Sequence, residues 1–365
     1  MKILHIYKDY PPILGGIENH VRLLAEGQAG RGHAVTVLVT NPAGARSTVS
    51  QESGVTVVRA GRLATVASTP LSLALPWRLL RERPDVVHLH YPYPVGETAQ
   101  WLLHRGRATV LTYHADIVRQ ANILRFYRPI LQRVLRRADA IIIGSPPMRG
   151  GAFLVPHADK LRLIPYGIPL ARFRPPPAAP AGADMTAART KRLLFVGRLR
   201  HYKGLDYLIR GLPRIDAQLV IAGIGPMEAE WRALAGQEGV AAKITWLGEI
   251  SDEALPALYR SADLFVLPAS NASEAFGLVQ VEAMAAGLPV VSTELGTGTS
   301  YVNQHGVTGL VVPPRDSDAL AAAINALLAG DARRAAMAAA AQERVAREID
   351  VDVMVGRVLA LYGDL

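Results

Sequence analysis

The sequence predicts an α/β protein built of two parallel-sheet domains, and three observations carry that prediction. The runs KILHIY, AVTVLVT, VTVVRA, DVVHLHYP, ATVLTYH and DAIIIGS are short and β-branched and are separated by longer helical patterns, the alternation of βαβ units. The rhythm restarts after residue 190 with RLLFVGR, QLVIAG, ITWLG, LFVLPA, PVVST and GLVVP. A chain of 365 residues also exceeds what one core organises, so two domains of about 150–200 residues each are expected. In open, Rossmann-like parallel sheets ligands sit beyond the carboxyl ends of the strands, and two such edges facing each other would form one deep cleft.

The boundary falls in ARFRPPPAAPAGADMTAARTKR, residues 171–192, whose prolines and small residues make a linker and a poor core. Residues 1–168 form the first domain and 169–349 the second. The Ala-rich segment 319–346 reads as helix, and 350–362 as a last one. No fixed short repeat points to a solenoid.

Composition narrows the chemistry. There are no cysteines, which removes disulfides, thiolate nucleophiles and Cys–zinc sites and fits a reducing, cytoplasmic compartment. MKILHIYKDYPP has only a four-residue apolar run and reads as a first buried strand, not a signal peptide. LATVASTPLSLALPW, residues 63–77, falls short of the roughly 18–20 residues of a membrane span and contains two prolines. Residues 1–168 carry 21 Lys and Arg against 10 Asp and Glu, whereas the remainder carries 19 against 21. The basic first half points to an anionic surface or ligand. Nucleic acid is disfavoured, because no RNA- or DNA-binding motif accompanies the charge.

The most informative stretch is NASEAFGLVQVEAMAAGLPVV, residues 271–291. A strand ends at Pro268, a polar loop follows, and a helix beginning near Phe276 runs to Gly287, placed as its left-handed cap. The first-turn N–H groups of Phe276, Gly277 and Leu278 would favour an anion such as phosphate, and Gly277 lets a ligand approach the backbone. Glu274 and Glu282 would then bracket the anion as acceptors for hydroxyl groups. A helix cap and a solvated face are the plainer alternatives. A retaining glycosidase needs carboxyls about 5–5.5 Å apart, whereas eight helical residues span roughly 12 Å, which favours binding roles.

In VGRLRHYKG, residues 196–204, Arg198 and Lys203 follow the first strand of the second half, where a guanidinium and an ammonium can neutralise a diphosphate and its leaving-group charge. A solvated basic loop is the alternative. Gly15 and Gly16 open a helix after the first strand, and Gly225 lies in the turn IAGIGP; both are glycine turns compatible with close approach to phosphate or nucleotide. In TVLTYHADIV, His114 and Asp116 leave a strand end, where a histidine can bond a sugar hydroxyl or serve structure alone. His88 and His90 read as packed or bonded within their strand end. Asp316-Ser317-Asp318 and Asp350-Val351-Asp352 have the form of a cation-binding D-x-D, but each opens a helix, so no metal site is assigned.

Taken together, the early glycine pair, His114, Arg198 with Lys203, the E-x7-E of Glu274 and Glu282 around its Phe-Gly turn, and HGVTGLVVPPRD at 305–316 resemble the family 4 glycosyltransferases of the GT-B fold over nearly the whole chain. That resemblance implies an N-terminal acceptor domain, a C-terminal nucleotide-sugar domain and a last helix, 350–365, crossing back onto the first. It implies metal-independent transfer of a sugar from a nucleoside diphosphate to an acceptor hydroxyl with retained anomeric configuration. By the same resemblance Glu274 contacts the donor sugar beside Phe276, Gly277 and Leu278, Glu282 the ribose, and Arg198 and Lys203 the diphosphate, while His114 lies near the sugar and Gly16 near phosphate and acceptor. The segment 294–312 is similar to that of bacterial O-antigen and exopolysaccharide mannosyltransferases, which favours GDP-mannose over a UDP-sugar and a glycan or polyprenyl-linked acceptor.

Within residues 118–140 Arg119, Arg125, Arg128 and Arg133 interleave with apolar residues, as in a helix pressed on anionic lipid or in an amphipathic helix with a solvated basic face. A peripheral membrane contact follows from the first. A GT-B sugar-nucleotide epimerase and a non-catalytic sugar-nucleotide sensor are the remaining alternatives.

Overall fold

Strand order is what places the functional residues. The computed structural model describes residues 1–13, 15–66, 69–114, 121–174 and 190–365, with the backbone alone for 121–126. The chain divides into two units, Met1–Ile168 with Val351–Leu365, and Pro169–Asp350.

The first unit contains β1 (Lys2–Ile6), β2 (Ala34–Asn41), β3 (Thr48–Glu52), β4 (Val55–Gly61), β5 (Ala64–Val66), β6 (Thr69–Leu71), β7 (Val86–Tyr91), β8 (Ala108–Tyr113), β9 (Ala140–Ile143) and β10 (Leu161–Leu163). Eight of them form one sheet in the order β10-β9-β8-β7-β1-β2-β4-β3, and β5 pairs with β6 in a separate hairpin. Every neighbour in the large sheet is parallel except β3 against β4. Every residue of β7 and β8 is buried, as in strands covered on both faces. The order reverses between β1 and β7, the topological switch point, where His5 and His88 are register partners.

The second unit contains β11 (Arg192–Val196), β12 (Gln218–Ala222), β13 (Ile244–Gly248), β14 (Leu264–Leu267), β15 (Val290–Thr293) and β16 (Gly309–Val312), all parallel in the order β13-β12-β11-β14-β15-β16. Its switch point lies between β11 and β14. The helix Val351–Gly363 belongs to the first unit: Val351 N–H donates to the Ile168 carbonyl at 3.0 Å, and Val355 packs so closely on Gly27 that an added Cβ there would lie 2.7 Å from its Cγ2.

Two details depart from the sequence expectation. The Ala-rich segment is two helices, Ser317–Leu328 and Asp331–Glu348, because Gly330 is non-helical (φ −116°, ψ 82°) and starts the second. Strands β3 and β10 are short edge pieces with no buried position, so no apolar run announces them. Of the two readings of the helix Ala121–Arg137, the amphipathic one fits its described part: Tyr127, Leu131, Val134 and Leu135 are core residues, while Arg128 and Arg133 are exposed beside the Phe153 and Trp101 rings. Asp116, Arg119 and the Arg125 side chain lie outside the described residues. Among the described residues no helix is long and apolar enough to cross a membrane.

Candidate active site

Beyond the carboxyl ends of β11 and β14, at the switch point of the second sheet, two loops are stitched together. Ser270 N–H donates to the Tyr202 carbonyl at 2.8 Å, joining the turn after β11 to the loop after β14. The Thr297 hydroxyl donates to the Glu274 carbonyl at 2.8 Å and fixes the same loop from the β15 side. This scaffold brings Lys203 and Glu274 into contact: Lys203 Nζ lies 2.6 Å from Glu274 Oε2, with each side chain only 10% exposed. Two residues nominated from separate motifs thus form one buried ion pair.

Arg198 follows β11 and is exposed, with no ion-pair partner among the described residues. Together with Gly225 it lines a cavity of about 360 Å³, whose wall includes Gly197, Gly223, Glu249 and Leu255. Two backbones nearly touch in its wall. Gly223 has φ +135°, and a Cβ there would lie 2.0 Å from the Gly197 carbonyl oxygen.

The helix expected from Phe276 is Leu278–Ala285, with Gly277 as its N-cap in the left-handed region (φ 72°, ψ 58°). The start is two residues late because Gly277 turns the chain there, and Phe276 is buried beneath it. The far end is a Schellman cap: Leu288 N–H bonds the Ala283 carbonyl and Gly287 N–H that of Met284, each at 3.0 Å. Glu282 does not line the cavity. Its carboxylate accepts the Tyr259 hydroxyl at 2.8 Å, and burial raises its pKa against the lowering effect of that bond and of Arg172.

In the first unit Gly15 is the extended N-cap of the helix Gly16–Ala29, and both glycines are exposed. A Cβ on Gly15 would lie 2.0 Å from Glu18 Oε2, so the glycine makes room for a buried carboxylate that sequence reasoning passed over. His114 is buried at the end of β8, stacked on His90 at 5.5 Å and on Tyr166 at 5.4 Å between ring centroids. His5, His20 and His88 surround them, a cluster the sequence reading missed. The H-x-H of β7 was the available signal, since period-two alternation puts His88 and His90 on one face. Burial pushes the His114 imidazole well below its ordinary pKa, and His20 adds to this. Asp316 caps the helix Ser317–Leu328 by accepting from the N–H groups of Asp318 and Ala319, and Asp350 and Asp352 pair with Arg174 and Arg31.

Two doubly wound units, the second with a basic, glycine-lined site at its switch point, define a two-domain Rossmann-like protein. Residues 14–172 match the family described as Glycosyltransferase Family 4, and residues 186–344 match Glycosyl transferases group 1. The chain is 35% identical over 331 residues to O-antigen chain mannosyltransferase C of Escherichia coli, spanning 90% of this chain and 88% of that one. It is 37% identical over 320 residues to D-rhamnosyltransferase WbpZ of Pseudomonas aeruginosa, spanning 86% and 83%. A solved structure of sucrose-phosphate synthase from Thermosynechococcus elongatus superposes with a TM-score of 0.77 at 25% identity, covering 100% of this chain and 98% of that one. The chain belongs to the GT-B glycosyltransferases, with a family 4 first half and a group 1 second half.

Proposed function

We propose that this glycosyltransferase moves a hexose, mannose first among candidates, from a nucleoside diphosphate sugar to a sugar hydroxyl of a glycan or lipid-linked acceptor in cell-surface polysaccharide synthesis. GDP-mannose is the favoured donor, supported by the similarity to an O-antigen mannosyltransferase; a UDP-sugar is the alternative. Transfer proceeds with retention and without a metal, at the cytoplasmic side of the cell. The observation that carries this reading is the buried Lys203–Glu274 pair beside the Arg198 cavity.

The chemistry follows from what these groups can do. A carboxylate only accepts hydrogen bonds and an ammonium or guanidinium only donates. Glu274 therefore suits the hydroxyls of the donor sugar, and Lys203 and Arg198 suit the phosphates. The bond between the anomeric carbon and the β-phosphate oxygen breaks, the acceptor oxygen bonds to that carbon on the same face, and the acceptor proton passes to the departing phosphate. Lys203 and Arg198 stabilise the charge that builds on the leaving group, and the site supplies position and electrostatics. The same reading gives His114 a role toward a sugar hydroxyl, Gly15 and Gly16 a role toward phosphate or acceptor, and Glu282 a role toward the ribose.

Turnover against a panel of nucleotide sugars with mannosyl and lipid-linked acceptors tests this. Transfer from GDP-mannose is expected. Donor-only release of an epimerised sugar would point to an epimerase, and binding without turnover to a sensor.

A peripheral membrane contact is also proposed, and a specific surface favours it. The helix Ala74–Arg81 buries Leu75 and Leu79, whereas its N-cap Leu73 and its Trp77 and Leu80 are exposed at i, i+4, i+7 spacing, with Arg78 and Arg81 beside them. Leu63, Val66 and Leu71 of the preceding hairpin segment are exposed as well. Replacing Leu73 and Trp77 by serine should abolish salt-sensitive binding to anionic vesicles; undiminished binding would place the contact elsewhere.

A further inference from the structure

The buried histidines of the first unit are joined into one hydrogen-bonded chain. His88 Nε2 lies 2.6 Å from Thr112 Oγ1, and its Nδ1 meets the Tyr362 hydroxyl. Gln28 Nε2 reaches that hydroxyl at 3.5 Å, and Gln28 Oε1 lies 2.7 Å from His5 Nε2. His5 Nδ1 is 3.0 Å from His90 Nε2, and His90 Nδ1 is 3.2 Å from His114 Nε2. Thr112, Gln28 and all four histidines are buried.

Burial lowers the pKa of His5 to about 4 and holds those of His88, His90 and His114 well below the ordinary value, so at neutral pH each ring is uncharged, with one N–H and one bare nitrogen. In such a chain every link needs one donor and one acceptor, so the polarity of one member sets all the others. Two features set it the same way. The Gln28 oxygen faces His5 and can only accept, which puts the His5 proton on Nε2. At Tyr362, a phenol is a better donor than acceptor and a bare imidazole nitrogen a strong acceptor, so the hydroxyl donates to His88 Nδ1 and accepts from the Gln28 amide. Passing outward, His90 donates from Nε2 to His5 Nδ1, and His114 donates from Nε2 to His90 Nδ1.

We propose that this chain fixes His114 as the Nε2–H tautomer with Nδ1 as its bare nitrogen, and that Gln28 and Tyr362 are positioning residues that act on His114 through it. Tyr362 lies on the helix Val351–Gly363, so the end of the chain helps set a proton on a residue after β8. The catalytic consequence rests on the proposed reading that His114 lies beside the sugar: it then accepts a hydroxyl proton at Nδ1 and does not donate there. A cation held by His20, His90 and His114, whose ring nitrogens lie within 4.8 Å of one another, is the competing arrangement, and it would strip the proton from His114 Nε2.

The test is long-range 1H–15N correlation spectroscopy of the full-length protein with 15N-labelled histidine at neutral pH, using His114→Phe to assign the resonance. Nε2–H patterns are expected for His5, His90 and His114. Gln28→Glu, which keeps an acceptor toward His5, should preserve them; Gln28→Met should leave His114 a mixture of tautomers. An Nδ1–H pattern at His114 in the wild type would overturn the assignment, as would a pure Nε2–H pattern surviving in Gln28→Met. Loss of the Nε2–H signal on adding Zn²⁺ alone would overturn it in favour of the cation site. The spectrum is independent of turnover, so an intact chain in a protein without transfer activity would retire only the catalytic reading of His114.

Discussion

Lys203 Nζ and Glu274 Oε2 lie 2.6 Å apart at the carboxyl edge of the second sheet, with almost no solvent around either. The pair has two consequences, one for stability and one for chemistry. Removing either partner leaves the other charge buried and uncompensated, which costs about 3–5 kcal/mol. Lys203→Ala should therefore lower both turnover and the denaturation midpoint. The double variant Lys203→Met with Glu274→Gln should regain much of the stability and none of the turnover. If the double variant is as active as wild type, the pair is purely architectural.

Arg198 offers the cleaner separation. It is exposed and lacks an ion-pair partner among the described residues, so Arg198→Ala should change stability by no more than about 0.5 kcal/mol. Losing one preorganised donor to the leaving group should lower kcat about 100-fold to 1,000-fold. Steady-state kinetics beside a urea melt decide this, and a kcat within a few-fold of wild type removes Arg198 from the leaving-group site.

Gly277 turns the chain into the helix Leu278–Ala285 at φ 72°, and a Cβ there would lie 2.8 Å from Leu267 Cδ2. Gly277→Ala should cost about 1–3 kcal/mol from the left-handed backbone. It should also raise KM for the donor by displacing the first-turn amides. Unchanged stability and KM would show that the turn adapts freely.

Acid should loosen the first unit. Burial depresses His5 to about 4 and His20 to about 3 from the ordinary 6.5. A depressed histidine protonates more readily when unfolded, so its contribution is full above 6.5 and is lost as pH falls toward those values. Glu97 opposes this: burial raises it from 4.5 to about 7, so its contribution is full below 4.5 and is lost as pH rises through 7. Denaturation midpoints should fall between pH 7 and pH 5, and Glu97→Gln should steepen the fall. A flat profile in both proteins would contradict the buried, neutral state of the cluster.

Much of this was legible in the sequence because it is written in local periodicity. The β-branched runs ending in VGR, AGIG and LPAS marked β11, β12 and β14, and the Gly277 and Gly287 turns bounded a helix whose start was misplaced by only two residues. The Lys203–Glu274 contact was not legible, because it depends on β14 lying next to β11, a matter of strand order. The histidine chain escaped for the same reason: β7 and β1 are adjacent in the sheet but far apart in the sequence, and that adjacency brings His5 to His90. The basic helix left two readings open, since its alternation of arginine and leucine is the same whether the apolar face meets lipid or the protein's own core.

The most direct test of the central claim is the NMR anomeric configuration of the product formed from GDP-mannose and a mannose-terminated acceptor, with and without chelator. The account predicts an α-linked product from the α-linked donor, formed at the same rate in EDTA. A β-linked product, or transfer that stops when metal is withdrawn, would contradict it.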